Sequence, residues 1–184
     1  MAKFYAEPIP ACLRVASAEQ GRAHQRGKVK MQTILILHNI RSVYNTGAIF
    51  RTADTAGIFK IYLTGYTPAP VDRFGKLRKD FTKASLGAEN LIWEKIKSLI
   101  KVIKNLKKEG FQIVALEQAK NSIDYKKFKA GKKLVLIAGN EVKGLSKGIL
   151  KKCDKIVEIK MLGKKESLNV SVALGIALFR ILNI

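Results

Sequence analysis

An arginine interrupts an apolar helical pattern early in this chain. Arg51 follows Asn45 by six residues, with Gly47 and Phe50 between them. Six residues are about one and two-thirds helical turns, so Asn45 is placed to cap the helix while Arg51 projects from its first turns. A guanidinium among apolar residues must be paired or must face a ligand. We therefore expect Arg51 either to bind a ligand or to form a structural pair with Asp54 or another carboxylate.

A second polar segment follows an apolar run in the latter half of the chain. Residues 134–138 lead directly into Gly139, Asn140 and Glu141. Glycine lets the backbone approach another group closely, and Ser146 is placed to cap a short helix. A strand followed by a glycine-rich turn and a helix occurs in many α/β proteins, so this segment alone is a weak functional signal.

A third polar segment precedes the last apolar stretch. Ser167 is predicted to cap the final helix, which places Asn169 in the first helical turn. Asparagine is a poor helix former, and the rest of this helix is apolar. We therefore expect Asn169 to face whatever binds at the helix start, while Ser167 either caps the helix alone or joins the same site.

The surrounding pattern indicates how these segments are positioned. Apolar runs predict strands at 33–37, 58–63, 111–116, 133–138 and 156–159. Apolar residues with helical periodicity predict helices at 47–56, 94–109 and 167–182. Strands alternating with helices predict an α/β fold, with a largely parallel sheet and helices on both faces. Such sheets bind ligands outside the carboxyl ends of their strands, where all three polar segments are expected.

The charge of the chain is strongly positive. Lys and Arg total 35 against 14 Asp and Glu, a formal net charge of +21. This excess favours a polyanionic partner, with nucleic acid first and an anionic membrane surface second. Selection for solubility, or a source organism whose proteins are generally rich in lysine, would produce the same composition.

Several common functional classes lack their signatures. Cys12 and Cys153 are far apart, and His24 and His38 are isolated, which argues against a disulfide framework and a metal site. The sequence has no GxGxxG after the first strand, no GxxxxGK[ST] and no GxSxG. No signal-peptide pattern begins the chain, and the final apolar stretch is shorter than the roughly 20 residues of a membrane span. We expect a cytoplasmic protein without a metal or a membrane segment.

Two regions differ in composition. Residues 1–30 are polar, basic and glycine-punctuated, and are predicted to be an N-terminal extension. Residues 31–184 are predicted to form one α/β domain, which is as much as a chain of this length readily accommodates.

Together, the three polar segments resemble the signature motifs of the SpoU/TrmH branch of the SPOUT RNA methyltransferases. Residues 45–51 look like Asn-x-Gly-Ala-x-x-Arg, and residues 139–146 look like Gly-Asn-Glu-x-x-Gly-Leu-Ser. Residues 159–173 are similar to Ile-x-Met-x-Gly-x-x-x-Ser-Leu-Asn-Val-Ser-x-Ala, and residues 83–89 look like a further family segment. The resemblance covers roughly 33–182. One departure is Lys160, where proline is common in the family.

The resemblance implies a fold, a cofactor and a reaction. The fold would be a SPOUT-type sheet with a C-terminal deep trefoil knot. The reaction would transfer a methyl group from S-adenosylmethionine to a ribose 2′-hydroxyl of tRNA or rRNA, with Arg51 stabilising the developing alkoxide. The residues implied to shape the catalytic site around Arg51 are Asn45, Glu141, Ser167 and Asn169. The residues implied to bind the cofactor are Ala138, Gly139, Asn140, Ile159, Met161, Leu168 and Asn169.

The last helix also predicts a homodimer. It is apolar nearly all round, so it must be buried on more than one side, and a second subunit would cover the face turned away from its own sheet.

Two other functions stay open: a non-enzymatic basic RNA-binding protein, and a SPOUT methyltransferase acting on a nucleobase. The first explains the charge but not polar residues after three strands.

Overall fold

The computed structural model describes residues 31–184; the predicted extension at 1–30 lies outside the described residues. The strands of this part are β1 (Gln32–His38), β2 (Lys60–Thr64), β3 (Trp93–Ile96), β4 (Gln112–Leu116), β5 (Ile123–Asp124), β6 (Lys133–Ala138) and β7 (Lys155–Glu158). Its helices are α1 (Val43–Thr55), α2 (Lys79–Ser85), α3 (Leu99–Lys108), α4 (Lys147–Leu150) and α5 (Val170–Leu182), with a 3₁₀ turn at Ala88–Asn90.

The strands form one seven-stranded sheet in the order β3-β2-β1-β6-β4-β7-β5, and all of its pairings are parallel. The strand ends are nearly level, since Leu37 pairs with Ala138, which pairs with Leu116. The loops after β1, β6 and β7 therefore leave the same edge of the sheet. The predicted α/β class and parallel sheet are confirmed.

Helices cover both faces, as predicted. On one face, α1, α2 and α5 bury apolar side chains against the sheet, including Phe50, Phe81 and Leu178. On the other face, α3 does so through residues such as Val102 and Leu106, and α4 packs beside it. Fully burying one such side chain stabilises the fold by about 1.5–3 kcal/mol. No helix within residues 31–184 is long and apolar enough to cross a membrane.

Helix α1 is held closely on two sides. Toward α2, a Cβ on Gly47 would lie 2.6 Å from the Ala84 Cβ, and the rings of Phe50 and Phe81 meet edge to face with centroids 5.1 Å apart. Toward α5, a Cβ on Gly175 would lie 3.6 Å from Thr52. Gly47 thus lets α2 approach α1 more closely than a larger residue would allow, whereas a Cβ on Gly175 would only reach ordinary van der Waals contact with α1.

The helix predicted at 94–109 is wrong in its first part. Residues Trp93–Ile96 form β3, which pairs with β2, and α3 begins only after Ser98. The Ser98 hydroxyl accepts a hydrogen bond from the Lys101 backbone N–H and caps the helix. The pairing of these four residues with β2 determines their structure, and the helical periodicity of the sequence gives no sign of that pairing.

Candidate active site

A half-buried carboxylate organises the loops at the carboxyl edge of the sheet. Glu141, just after β6, accepts hydrogen bonds from the backbone N–H groups of Arg41 at 2.9 Å and Ser42 at 3.2 Å. It also accepts one from the side-chain amide of Asn45 at 2.9 Å. Burial by itself would raise the pKa of Glu141, but the hydrogen bonds from Arg41, Asn45 and Ser42 outweigh it, and the pKa lies below its ordinary value. Glu141 is therefore ionised at neutral pH.

Asn45 joins this carboxylate to the third polar segment. While its Nδ2 donates to Glu141, its Oδ1 accepts a hydrogen bond from Asn169 Nδ2 at 3.1 Å. The prediction that Asn45 caps α1 is wrong, because Ser42 is the cap and its hydroxyl accepts from the Asn45 backbone N–H. The Asn45 side chain is thereby left to connect the loops after β1, β6 and β7.

Asn169, rather than Ser167, caps the last helix. Its Oδ1 accepts from the backbone N–H of Ser171 at 2.9 Å and from the Ser171 hydroxyl at 2.7 Å. The predicted start at Ser167, with Asn169 in the first turn, is wrong, and capping gives Asn169 a structural role. Ser167 is exposed just before the helix, and its side chain makes no hydrogen bond to another residue of the described part.

Arg51 lies on the exposed side of α1. The alternative of a structural pair with Asp54 is wrong, since Arg51 forms no ion pair within the described region. The helix is also less apolar than expected there, because Asp54 and Thr55 are exposed beside it. The Arg51 side chain makes no hydrogen bond to Glu141, Asn45 or Asn169. Within residues 31–184, the guanidinium therefore has no carboxylate partner that would compete with a ligand.

The loop after β6 is folded tightly on itself. A Cβ on Gly139 would lie 2.7 Å from the Leu145 side chain and 2.8 Å from the Gly144 backbone. The backbone N–H of Leu145 donates to the Glu117 carboxylate at 2.8 Å. The close approach that glycine permits at position 139 is thus made by the chain's own loop.

Asn140 binds its neighbours through its whole side chain. Its Nδ2 donates to the Asn39 carbonyl at 2.9 Å and to the Tyr66 hydroxyl at 2.8 Å. Its Oδ1 accepts from the backbone N–H groups of Val142 and Lys143. Only the backbone of Asn140 is left for the cofactor-binding role implied by the resemblance.

His38, at the end of β1, is held as a neutral ring. Its Nε2 accepts from the Asn39 side chain at 3.0 Å, so Nδ1 carries the proton and faces the Thr64 hydroxyl at 2.9 Å. Burial lowers the pKa of His38. Within residues 31–184, no group of three His, Cys, Asp or Glu is arranged to hold a metal ion.

An open pocket of 490 Å³ lies beside the loop after β7. Ile159 and Met161 line it, together with Leu162, Glu166 and Gln118. The Gln118 side chain donates to the Glu166 carbonyl at 2.9 Å and ties the loop to the end of β4. Of the seven residues implied to bind the cofactor, only Ile159 and Met161 line this pocket. The other five do not: Ala138, Gly139, Asn140, Leu168 and Asn169.

Sequence reasoning missed Glu117 and Gln118, although a signal was present. Both residues directly follow the strand predicted at 111–116, and so lie at the same carboxyl edge as the three polar segments. They were overlooked because no motif includes them.

Comparison with known proteins places most of the chain in one family. Residues 32–179 match the SpoU rRNA Methylase family. A Staphylococcus saprophyticus protein named for the TrmH family of tRNA/rRNA methyltransferases is 34% identical over 160 residues, which are 86% of this chain and 61% of the relative. The chain therefore spans less than two thirds of that relative.

Solved structures show the same fold. An AdoMet-bound rRNA methyltransferase from Sinorhizobium meliloti superposes with a TM-score of 0.74 and 30% identity, covering 83% of this chain and 56% of the other. The TrmH/SpoU tRNA modifying enzyme of A. aeolicus superposes with a TM-score of 0.72 and 30% identity, covering 84% of this chain and 77% of the other.

Proposed function

This chain belongs to the SpoU rRNA Methylase family, and from that premise we propose that it is an S-adenosylmethionine-dependent RNA methyltransferase acting on a ribose 2′-hydroxyl of tRNA or rRNA. The observation that carries the proposal is the hydrogen-bonded chain Glu141–Asn45–Asn169, which connects all three polar segments at one edge of the sheet. Named relatives that modify tRNA and rRNA support the RNA substrate.

The pocket beside the loop after β7 suits the proposed cofactor. Its volume of 490 Å³ is within the range of roughly 300–1,000 Å³ typical of small-molecule sites. Ile159, Met161 and Leu162 offer apolar surface to a flat adenine ring. The lining carries both signs of charge: Glu158 and Glu166 complement the sulfonium and amino groups of the cofactor, and Lys160, Lys164 and Lys165 complement its carboxylate. The other residues that we propose to bind the cofactor are Ala138, Gly139, Asn140 through its backbone, Leu168 and Asn169.

When bound, S-adenosylmethionine supplies the electrophilic methyl group. The attacking 2′-hydroxyl releases its proton to solvent as its oxygen takes the methyl group. Arg51, the exposed cation on α1, orients this hydroxyl and stabilises the negative charge that develops on the oxygen. Glu141 and Asn45 fix the start of α1, and Asn169 fixes the start of α5. The exposed Ser167 hydroxyl is offered to the substrate beside them.

We further propose that the chain functions as a homodimer. Helix α5 buries Leu174, Ala177 and Leu178 against its own sheet, but Val172 and Ile176 are 49% and 40% exposed on another side. Tyr44 on α1 is 64% exposed. A second subunit covering these side chains would also bring its own residues to Arg51. Sedimentation should show a dimer at micromolar concentration, and a monomer there would contradict this part of the proposal.

Three further expectations belong to the same proposal. The C-terminal part is proposed to form the deep trefoil knot that the family resemblance implies. Residues 1–30 are proposed as a basic extension to the domain at 31–184, and the protein as cytoplasmic.

Methyl transfer from radiolabelled S-adenosylmethionine to total tRNA and to rRNA tests the reaction. Arg51→Ala should lower the single-turnover rate on the order of 100- to 1000-fold with melting temperature and cofactor affinity retained. Arg51→Lys should lower the rate as well, because an ammonium group cannot reproduce the planar hydrogen-bonding geometry of a guanidinium. Lys104→Ala, on α3 across the sheet, controls for the loss of one positive charge. An active but destabilised Arg51→Ala protein would refute the assignment.

The site of methylation separates the remaining functions. A ribose 2′-O-methyl group makes the adjacent phosphodiester resistant to alkali, whereas a methylated base leaves it labile. Absence of S-adenosylmethionine binding by calorimetry, with RNA binding retained, would indicate a non-enzymatic RNA-binding protein.

A further inference from the structure

A rigid hairpin follows β2 at the same edge of the sheet as the candidate site. Val71 and Leu77 pair across its base as an antiparallel bridge. Inside it, the Asp72 carboxylate accepts from the backbone N–H groups of Phe74 at 2.8 Å and Lys76 at 3.0 Å. The Asp72 backbone N–H donates to the Lys76 carbonyl, and Gly75 takes the left-handed conformation with φ +79°. The tip is therefore fixed by its own hydrogen bonds.

This hairpin presents an aromatic ring to solvent. Phe74 at its tip is 79% exposed, whereas Phe50 and Phe81 are completely buried. The Arg73 guanidinium carbon lies 4.7 Å from the centroid of the Phe74 ring, within cation–π distance. An exposed apolar side chain does not contribute the stabilisation that burial gives. Phe74 therefore adds little to the stability of the folded chain.

The hairpin and the residues just after it carry several cationic side chains. Arg73, Lys76 and Lys79 form no ion pair with any residue in 31–184. Of the two nearby carboxylates, one oxygen of Asp72 is engaged by the turn, and Asp80 pairs with Arg78 at 2.7 Å. The unpaired charge of the hairpin and the residues just after it is thus positive and complementary to phosphate.

Both ends of the hairpin are attached to elements of the candidate site. Before it, the Tyr66 hydroxyl accepts from Asn140 and the Tyr66 backbone N–H donates to Asn39. After it, α2 places Phe81 against Phe50, which directly precedes Arg51. An RNA strand bound at the site would have this hairpin beside it.

We propose that the hairpin Val71–Leu77 binds an unpaired nucleotide of the RNA substrate, whose base stacks on Phe74 while Arg73, Lys76 and Lys79 contact adjacent phosphates. Unstacked bases of single-stranded RNA pack on aromatic rings and on guanidinium planes, and this stacking tolerates any base. The inference rests on the proposed function and narrows it. The RNA substrate would then carry an unpaired nucleotide on the same side of the site as the hairpin.

The test measures RNA affinity of the full chain without cofactor. A fluorescent 12-nucleotide single strand and a blunt duplex containing the same sequence serve as probes in anisotropy titrations. Phe74→Ala should weaken single-strand binding about 10-fold, within the 5- to 150-fold range expected for loss of one stacked base, and should change duplex binding little. Phe74→Trp should bind at least as well as the original chain.

Two further variants make the result specific. Phe74→Leu keeps an apolar side chain without a flat ring, so it should resemble Phe74→Ala if stacking is responsible. Phe59→Ala removes a phenylalanine that is 50% exposed at the opposite end of β2, and it should leave RNA affinity unchanged. Because Phe74 is 79% exposed, its variants should keep a melting temperature close to that of the original chain, whereas Phe59→Ala also loses the packing of a half-exposed ring.

The outcomes distinguish this inference from the proposed function. Wild-type RNA affinity in Phe74→Ala and Phe74→Leu, with methyl transfer by the original chain intact, would overturn the stacking role alone. Loss of self-association in Phe74→Ala would overturn it in favour of a protein contact. If RNA binding depends on Phe74 but the original chain transfers no methyl group, the stacking role would be supported and the proposed methyl transfer would be overturned.

Discussion

Asn45→Asp removes one hydrogen bond of the Glu141–Asn45–Asn169 chain without changing the shape of the side chain, because an ionised carboxylate cannot donate to Glu141. Asn45 Nδ2 now donates to Glu141 Oε1 over 2.9 Å, and the substitution places a carboxylate oxygen at that position. The other oxygen can still accept from the Asn169 amide. The change therefore perturbs a single link.

The geometry sets the expected size of the effect. Two unit charges 2.9 Å apart repel by about 1.4 kcal/mol in water and by about 6 kcal/mol at an effective dielectric constant of 20. Uptake of a proton by the pair limits this repulsion, and the lost hydrogen bond to a charged group contributes about 1.5–3 kcal/mol. We expect a net loss of about 2–3 kcal/mol at pH 7, which lowers the melting temperature by roughly 4–12 °C.

The loss should depend on pH. Sharing a proton raises the pKa of the carboxyl pair in the folded state above its value in the unfolded chain, so the folded state binds more protons between about pH 4 and 7. The stability of Asn45→Asp should therefore fall, relative to the original chain, as pH rises through this range. Thermal denaturation at pH 4, 5.5 and 7 measures it, with Asn105→Asp on the exposed side of α3 as control. A melting temperature equal to that of the original chain at pH 7, or a deficit independent of pH, would refute the reasoning.

Three other predictions concern single residues. Gly47→Ala should lower the free energy of unfolding by about 1–3 kcal/mol, because its Cβ would lie 2.6 Å from that of Ala84. Gly131→Ala, with nothing within 4 Å, is the control in denaturant titration, and equal losses would contradict the packing argument. His38 should titrate below its ordinary pKa of 6.5 by NMR because burial lowers its pKa, and its contribution to stability, present above pH 6.5, should be lost as pH falls through the folded-state value. Burial raises the pKa of Cys153 to about 11, so iodoacetamide at pH 8 should modify its peptide on the order of 100-fold more slowly in the folded chain than in denaturant; equal rates would count against a buried thiol.

Much of the sheet was accessible from the amino-acid sequence. The strand predicted at 133–138 is β6 with the same bounds, because a continuous apolar run ending at Gly139 leaves few alternatives. The alternation of strands and helices predicted the parallel sheet. The carboxyl-edge rule for such sheets then predicted that Asn45, Glu141 and Asn169 lie close together, and a hydrogen-bonded chain joins them.

The choice among capping residues could not be made from local sequence. Ser and Asn are almost equally good N-caps, and both Ser167 and Asn169 precede the last helix. Asn169 both caps α5 and binds Asn45, a residue far away in the sequence. Likewise, the short strand β3 was concealed within a helical pattern, because its pairing with β2 is a contact between separate parts of the chain.

The bond between Asn45 and Asn169 spans 124 positions of the chain, which has a consequence for the order of folding. Closing so long a loop costs chain entropy that is offset only when both ends have docked, and contacts between distant residues form slowly. The polar cluster cannot assemble without the C-terminal helix. Local detachment of α5 would break the bond between Asn45 and Asn169 and expose Leu174, Ala177 and Leu178, so the site and part of the core would be lost together.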